Sequence, residues 1–113
     1  MSLEEYFSTG LAHERPVFDA VMLHLATVGP VHVEPVSVGI FLKKVQTFAQ
    51  LRPRDHWVAL SFSLERRVDH ERIVRKVVPY SGKYFHVANV RSPDDLDRRL
   101  LSWLTEAYVI SPT

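Results

Sequence analysis

The spacing of apolar residues changes twice along this chain of 113 residues, and that change limits what the chain can fold into. From residue 16 to residue 28, apolar side chains recur every three or four positions, which predicts a helix that ends at Gly29-Pro30. Between residues 36 and 90 they mostly alternate with polar ones, which is the period of β-strands. The helical period returns after Pro93. Consecutive strands with helices only at the two ends predict an α+β fold.

The predicted sheet has five or six strands and is mostly antiparallel, because short turns join consecutive strands. We expect strands at residues 36–43, 47–51, 56–64, 73–78 and 84–90. Helices are predicted at residues 3–8, 16–28 and 93–109, and the two longer ones, N-terminal and C-terminal, are expected to pack on one face of the sheet. The core that this arrangement predicts consists of Val21, Leu25, Val38, Ile40, Val58, Leu60, Phe62, Leu96, Leu100 and Leu104.

The whole chain, residues 1–113, is predicted to be a single α+β domain, because no linker or internal repeat interrupts it. It contains no cysteine, which excludes disulfides and cysteine-based zinc sites. No apolar stretch approaches the ~20 residues that span a bilayer. The acidic N-terminal sequence MSLEE does not resemble a signal peptide. We therefore expect a cytoplasmic protein that does not bind membranes.

Basic and acidic residues are separated along the chain. Residues 43–91 carry eleven Lys or Arg against four acidic residues, a net charge of +7. The remainder carries three basic residues against nine acidic ones, a net charge of −6. The basic segment coincides with most of the predicted strands, and the acidic ends coincide with the predicted helices. The sheet is therefore expected to present one face that attracts anions.

The familiar catalytic and metal-binding motifs fail at specific positions. His-Glu pairs at residues 13–14 and 70–71 begin like the zinc motif His-Glu-x-x-His, but Val17 and Val74 occupy the position of the second histidine. The four glycines are scattered, unlike those of a phosphate-binding loop. No serine lies in a Gly-x-Ser-x-Gly elbow. The sequence predicts no metal, no cofactor and no catalytic residue.

The alternating strands give the sheet an outer face that points away from the helices. Because Val58, Leu60 and Phe62 are expected to face the helices, Trp57 and Ser61 should face outward. The same alternation predicts that aromatic and basic side chains from several strands share this outer face. The candidate ligand-binding residues are Phe41, Lys43, Arg52, Trp57, Lys83, Tyr84 and His86, and Phe48 and Gln50 are expected beside them.

Three stretches of sequence carry a family likeness. They are PVSVGIFLK at residues 35–43, TFAQLRPR at 47–54, and VRSPDDLD at 90–97 together with WLTEAY at 103–108. In this order they resemble a bacterial family known as domain of unknown function 5655, over roughly residue 11 to the end. The resemblance implies a small α+β domain that occurs alone or attached to other domains. It implies no established activity and no catalytic residues.

Two classes of function fit these patterns. The leading hypothesis is a non-enzymatic binding or interaction module that uses the basic, aromatic-bearing face for an anionic ligand, a protein partner or single-stranded nucleic acid. The same face is also open to a simpler role, as a solvated surface or a homodimer interface. The alternative is a small-anion-binding enzyme in which His86 acts as acid or base in a pocket beside Tyr84 and Lys43. A deep pocket at His86 favours the enzyme, and a flat aromatic and basic face favours a macromolecular partner.

Overall fold

The helices and strands were located in a computed structural model, which describes residues 1–112. It contains three α-helices, six strands and a single 3₁₀ turn, Pro93–Asp95. The helices are α1 (Leu3–Ser8), α2 (Glu14–Leu25) and α3 (Arg98–Ile110). The strands are β1 (His32–Val36), β2 (Gly39–Lys43), β3 (Thr47–Pro53), β4 (Val58–Leu64), β5 (Val78–Tyr80) and β6 (Lys83–Val90).

All six strands form one antiparallel sheet in the order β1-β2-β3-β4-β6-β5. The predicted α+β class, the antiparallel sheet and the two main helices are confirmed. Because β4 pairs directly with β6, residues 65–77 must leave the sheet and return at its far edge as β5. This excursion supplies side chains to both faces of the sheet.

The core lies between the sheet and the apolar stripes of α2 and α3. Nine of the ten predicted core residues are buried there, including Leu25 on α2 and Leu100 on α3. Val38 is the exception, since 53% of its surface is exposed. Its burial was wrongly predicted because it lies in the tight turn between β1 and β2.

That turn also divides the strand predicted at residues 36–43. The chain folds back at Ser37-Val38, so β1 and β2 form a hairpin in which Val36 lies opposite Gly39. Alternation of apolar residues continues through the turn, and period alone therefore suggests a single strand. Gly39 is needed at this point, since a Cβ atom there would collide with the backbone carbonyl of Leu51 on β3.

The strand predicted at residues 73–78 is wrong for most of its length. Only Val78 belongs to a strand, and the preceding residues form a loop. The loop is fixed by hydrogen bonds from Ile73 N–H to the His70 carbonyl (2.9 Å) and from Asn89 N–H to the Arg72 carbonyl (3.0 Å). The second bond attaches the loop to β6 and directs the next residues toward the outer side of the sheet.

The C-terminal helix begins later than its sequence predicts. Ser92-Pro93 opens only the 3₁₀ turn, and the Ser92 side chain caps nothing. The N-cap of α3 is Asp97, whose Oδ1 accepts a hydrogen bond from Leu100 N–H at 2.9 Å. A serine before a proline and two acidic residues is typical of the start of an α-helix. Here these residues form a 3₁₀ turn, and the α-helix begins after it.

Candidate ligand-binding site

The strand register shows which side chains leave the sheet on the side away from α2 and α3, here called the open face. Phe41, Gln50, Ser61 and Val87 lie opposite one another across four neighbouring strands. Their neighbours along each strand belong to the core, so these four point outward. Arg52, Ala59 and Phe85 share the open face by the same alternation, and Trp57 lies on it just before β4.

Lys43 and Lys83 also lie on the open face, but near its two edges. Lys43 on β2 forms an ion pair with Glu34 of β1 (Nζ to Oε2, 2.5 Å), which offsets its charge. Lys83 begins β6 and pairs with Tyr80 of the short edge strand. Of these two lysines, Lys83 forms no ion pair within residues 1–112, but it lies near the edge of the face rather than at its middle.

The predicted orientation of Tyr84 and His86 is wrong. His86 lies directly opposite Phe62 of β4 and stacks on its ring, with centroids 5.2 Å apart and planes at 6°. Phe62 in turn stacks against Trp103 of α3, so His86 faces the helix side. Tyr84, two residues earlier on the same strand, shares that side.

His86 has no access to a ligand, because its side chain is fully buried. Its Nε2 accepts a hydrogen bond from Val68 N–H at 3.0 Å, so the neutral ring carries its proton on Nδ1, which has no hydrogen-bond partner within residues 1–112. Burial lowers the pKa of His86, although the nearby backbone of Tyr84 and Phe62 opposes the shift. Lys43 lies on the opposite side of the sheet and three strands away, so the pocket proposed around His86, Tyr84 and Lys43 does not form.

Phe48 is also on the helix side, contrary to prediction. The pairing between β2 and β3 shifts register after Leu42, so β3 contains one extra residue at Phe48. The Phe48 ring packs edge-on against Tyr108 of α3, at 5.3 Å between centroids. Such a bulge reverses the face of the sheet that alternation predicts for a side chain. The apolar pattern of the sequence does not indicate where a bulge occurs.

Three arginines surround a cavity of about 170 Å³ near the centre of the open face. Arg52 projects from β3, Arg54 from the turn after it, and Arg75 from the loop that returns to β5. We call these three residues the arginine cluster. The cavity exists because the sheet beneath it carries small side chains: Ala59 lies directly opposite Arg52, and Ser61 is the next outward residue on β4.

Local hydrogen bonds position two of these arginines. Arg54 N–H donates to the Trp57 carbonyl at 2.8 Å, which closes the turn between β3 and β4. Arg75 follows three residues after Arg72, whose carbonyl is bonded to β6. Arg52 and Arg54 belong to one stretch of backbone, and Arg75 joins them from a distant loop when the chain folds.

The arginine cluster carries uncompensated charge. Within residues 1–112, Arg52, Arg54 and Arg75 form no ion pair and no side-chain hydrogen bond. Three other arginines do pair with carboxylates: Arg15 with Asp19 (3.7 Å), Arg66 with Glu106 (2.8 Å) and Arg72 with Asp95 (2.6 Å). Guanidinium groups bind carboxylates and phosphates through paired, planar hydrogen bonds, so this arrangement can hold an anion between them.

A second cavity adjoins the arginine cluster on the open face. Its volume is about 450 Å³, and it shares Gln50, Ser61 and Phe85 with the first cavity. Ser63 of β4 and the exposed apolar side chains of β5, Val78 and Tyr80, complete its walls. We call this second cavity the apolar trough.

The sequence comparison assigns the chain to a family. The model of a family described as "Domain of unknown function (DUF5655)" matches residues 3–111. The chain belongs to this family. The resemblance carried by the three sequence stretches is thereby confirmed. No curated protein and no solved structure matches the chain, so the function of this family member has to be argued from its own geometry.

Across residues 1–112, no group of three or more histidine, aspartate or glutamate side chains lies close enough to hold a metal ion. Within the same residues, no helix combines the length and the apolar character that crossing a bilayer requires.

A buried carboxyl lies near α1, in a cavity whose lining also includes Arg54 of the arginine cluster. Glu14, the first residue of α2, is only 1% exposed and forms no ion pair within the described residues. Burial raises the pKa of its carboxyl. The neighbouring Tyr6 hydroxyl and His13 oppose this shift. Within the described residues, neither Glu14 Oε1 nor Tyr6 Oη has a hydrogen-bond partner of good geometry. Ionisation of Glu14 therefore opposes folding.

Replacing Glu14 by glutamine should raise stability at neutral pH, by roughly 1 kcal/mol, the usual scale for one buried polar group. The pKa of Glu14 is raised in the folded state. The neutral carboxyl therefore makes its full contribution to stability below the unfolded-state pKa near 4.5, and this contribution is lost as the pH rises through the folded-state pKa. The gain from Glu14→Gln should therefore shrink as pH falls toward 4. Urea denaturation at pH 7.5 and pH 4.5 measures it. Glu5→Gln, an exposed carboxyl in the same region, is the control and should change neither value. Equal effects of Glu14→Gln at both pH values would contradict this account.

Proposed function

We propose that this chain is a binding module for a small anionic ligand, which the arginine cluster holds on the open face of the sheet. One observation carries the proposal: three arginines without ion-pair partners among residues 1–112 line one cavity. Like charges that converge in this way repel one another, and an anion between them removes that repulsion.

The size of the cavity supports a small anionic group. A volume of about 170 Å³ corresponds to roughly five or six water molecules at about 30 Å³ each. Carboxylate, phosphate and sulfonate groups are smaller than this, so the cavity can hold one of them together with bridging water. Gln50 and Ser61 at the floor add neutral hydrogen-bonding groups, which suit the remaining oxygens of such an anion.

The geometry favours a small ligand over an extended nucleic acid strand. Single-stranded nucleic acid needs aromatic rings along a basic groove. Of the two aromatic candidates that share the open face, Phe41 lies on β2, whereas Trp57 lies in a separate cavity with Arg72 and Arg91. Among the described residues, Phe85 is the one aromatic side chain that lines the cavity of the arginine cluster, so no row of stacked rings passes through it. Nucleic acid is accordingly tested as an alternative anion.

The test is thermal unfolding with increasing inorganic phosphate, with sodium chloride adjusted to constant ionic strength. Binding to the folded state should raise stability by about 1.4 kcal/mol when phosphate reaches ten times its Kd. The double variant Arg52→Ala/Arg75→Ala should lose this response while remaining folded, since both side chains are exposed.

The matched control replaces two other exposed arginines, Arg15→Ala/Arg98→Ala, and should respond as the parent does. Its response also measures the general stabilisation that phosphate gives many proteins, so that this part can be subtracted. An equal response in both double variants would exclude a site at the arginine cluster. A twelve-residue thymidine oligonucleotide forms a further arm: strong binding of the oligonucleotide without a specific phosphate response would favour nucleic acid.

A further inference from the structure

The apolar trough beside the arginine cluster restricts the kind of anion that fits the whole site. The two cavities share Gln50, Ser61 and Phe85, so they adjoin one another and together form a depression on the open face. One end is lined by the three arginines of the arginine cluster. The other end is walled by aromatic and aliphatic side chains and contains no charged residue among those that line it.

The polarity of this depression changes along its length. Its charged end has the smaller volume, about 170 Å³, and its apolar end about 450 Å³. A single inorganic anion fills only the first part. A ligand that fills both parts has one compact anionic head and one apolar tail.

The walls of the trough have an unusual composition for a surface. Val78 and Tyr80 on the edge strand β5 lie opposite Phe85 and Lys83 of β6, yet 50% and 76% of their surfaces remain exposed. Such neighbouring apolar side chains beside a concave surface are typical of ligand grooves. Ser61 and Ser63 on β4 leave the space between them and Phe85 open, because their side chains are short.

We propose that the ligand is an amphiphilic carboxylate with an unbranched or weakly branched alkyl chain, its head on the arginine cluster and its chain in the apolar trough. This inference rests on the proposed function, because it takes the arginine cluster as the anion site. It adds the chemical class of the ligand and the position of its tail. Charge complementarity selects the head, and the apolar walls select the tail.

The test is a titration of the full chain with straight-chain carboxylates from acetate to decanoate. Binding is measured by isothermal titration calorimetry at concentrations below those at which the carboxylates form micelles. Each added methylene that enters the trough should tighten binding about fourfold, which corresponds to about 0.8 kcal/mol per buried methylene group. The increase should stop when the trough is full. Decylammonium, with the same tail and the opposite head charge, should bind at least tenfold more weakly than decanoate.

Two variants separate the head site from the tail site. Ser63→Phe places a ring in the trough and should abolish the dependence on chain length, while the response to phosphate remains. Val78→Ser should weaken decanoate binding severalfold, whereas the matched control Val45→Ser, an exposed valine outside the trough, should not. Unchanged melting temperatures establish that both variants are folded.

The possible results distinguish the two proposals. If acetate and decanoate bind equally and Arg52→Ala/Arg75→Ala abolishes both, the anion site stands and the amphiphile is overturned. If no carboxylate and no phosphate binds, both proposals fail. Co-sedimentation with phosphatidylglycerol vesicles without binding of soluble decanoate would also overturn the amphiphile, because it would make the face a membrane-contact surface.

Discussion

Replacing Leu100 by alanine is expected to lower the free energy of unfolding by about 2–5 kcal/mol. Leu100 lies in the first turn of α3 and is fully buried in the core beneath the sheet. Removing its side chain takes away buried apolar surface and leaves a cavity that surrounding groups fill only partly. Urea denaturation followed by circular dichroism measures the change.

Leu23→Ala is the matched control for that experiment. Leu23 is also a helical leucine, on α2, but 77% of its surface is exposed. Its replacement should change the free energy of unfolding by less than about 0.5 kcal/mol. Similar midpoints for Leu100→Ala and the parent chain would mean that α3 does not pack on the sheet as described.

The second large effect is expected for Asp97→Ala, at roughly 2–4 kcal/mol. Asp97 has two tasks: Oδ1 caps α3 through Leu100 N–H, and Oδ2 accepts a hydrogen bond from buried His70 Nε2 at 2.7 Å. His70 Nδ1 accepts from Arg72 N–H at 3.0 Å, so Nε2 carries the ring proton. Alanine removes the cap and leaves that N–H without its partner. Thermal and urea denaturation at pH 7 measure the loss.

The same carboxyl has a defined effect on acid stability. Desolvation would raise the pKa of Asp97, but hydrogen bonds from Leu100 N–H and His70 outweigh it and lower the pKa. The contribution is therefore present above the unfolded value near 3.8 and is lost as pH falls through the folded value. The parent chain should lose stability faster than Asp97→Ala as the pH falls below about 4. Asp94→Ala, in the exposed turn before α3, should follow the parent; parallel curves for Asp97→Ala would contradict the capping role.

The sequence predicts the class of this fold because its strongest patterns are local and consistent. The stripes of α2 and α3 and the alternation in β4 each specify one buried face, and only an α+β arrangement covers all of them. The errors occur where tertiary geometry overrides the period. The turn at Ser37-Val38 keeps the apolar alternation of a strand, and Ile73 is apolar because it packs on the core from a loop.

The position of His86 could not be predicted from the apolar pattern either. Along β6 the residues alternate Phe85, His86, Val87, Ala88, and apolarity alone does not show which set is buried. Pairing with β4 decides it, because His86 lies opposite Phe62 rather than Ser61. A histidine that stacks on a phenylalanine and accepts a backbone N–H is satisfied enough to be buried.

The arginine cluster was only partly predictable. Arg52 follows from alternation along β3, and the excess of basic residues in this part of the chain indicates an anion-binding surface. Arg54 lies in a turn, where side-chain direction depends on backbone geometry that the sequence does not specify. Arg75 lies in a stretch that resembles a strand, and only the bond between Asn89 and Arg72 brings it to the open face.

The most direct test of the anion site is a titration of the ¹⁵N-labelled chain with inorganic phosphate, followed by amide chemical shifts at constant ionic strength. The account predicts saturable shifts that cluster at the lining of the arginine cavity: Gln50, Arg52, Arg54, Ala59, Ser61 and Arg75. The amides of α2 and the outer surface of α3 should stay unchanged. Saturable shifts confined to the helices, or shifts on the open face that persist in Arg52→Ala/Arg75→Ala, would contradict it.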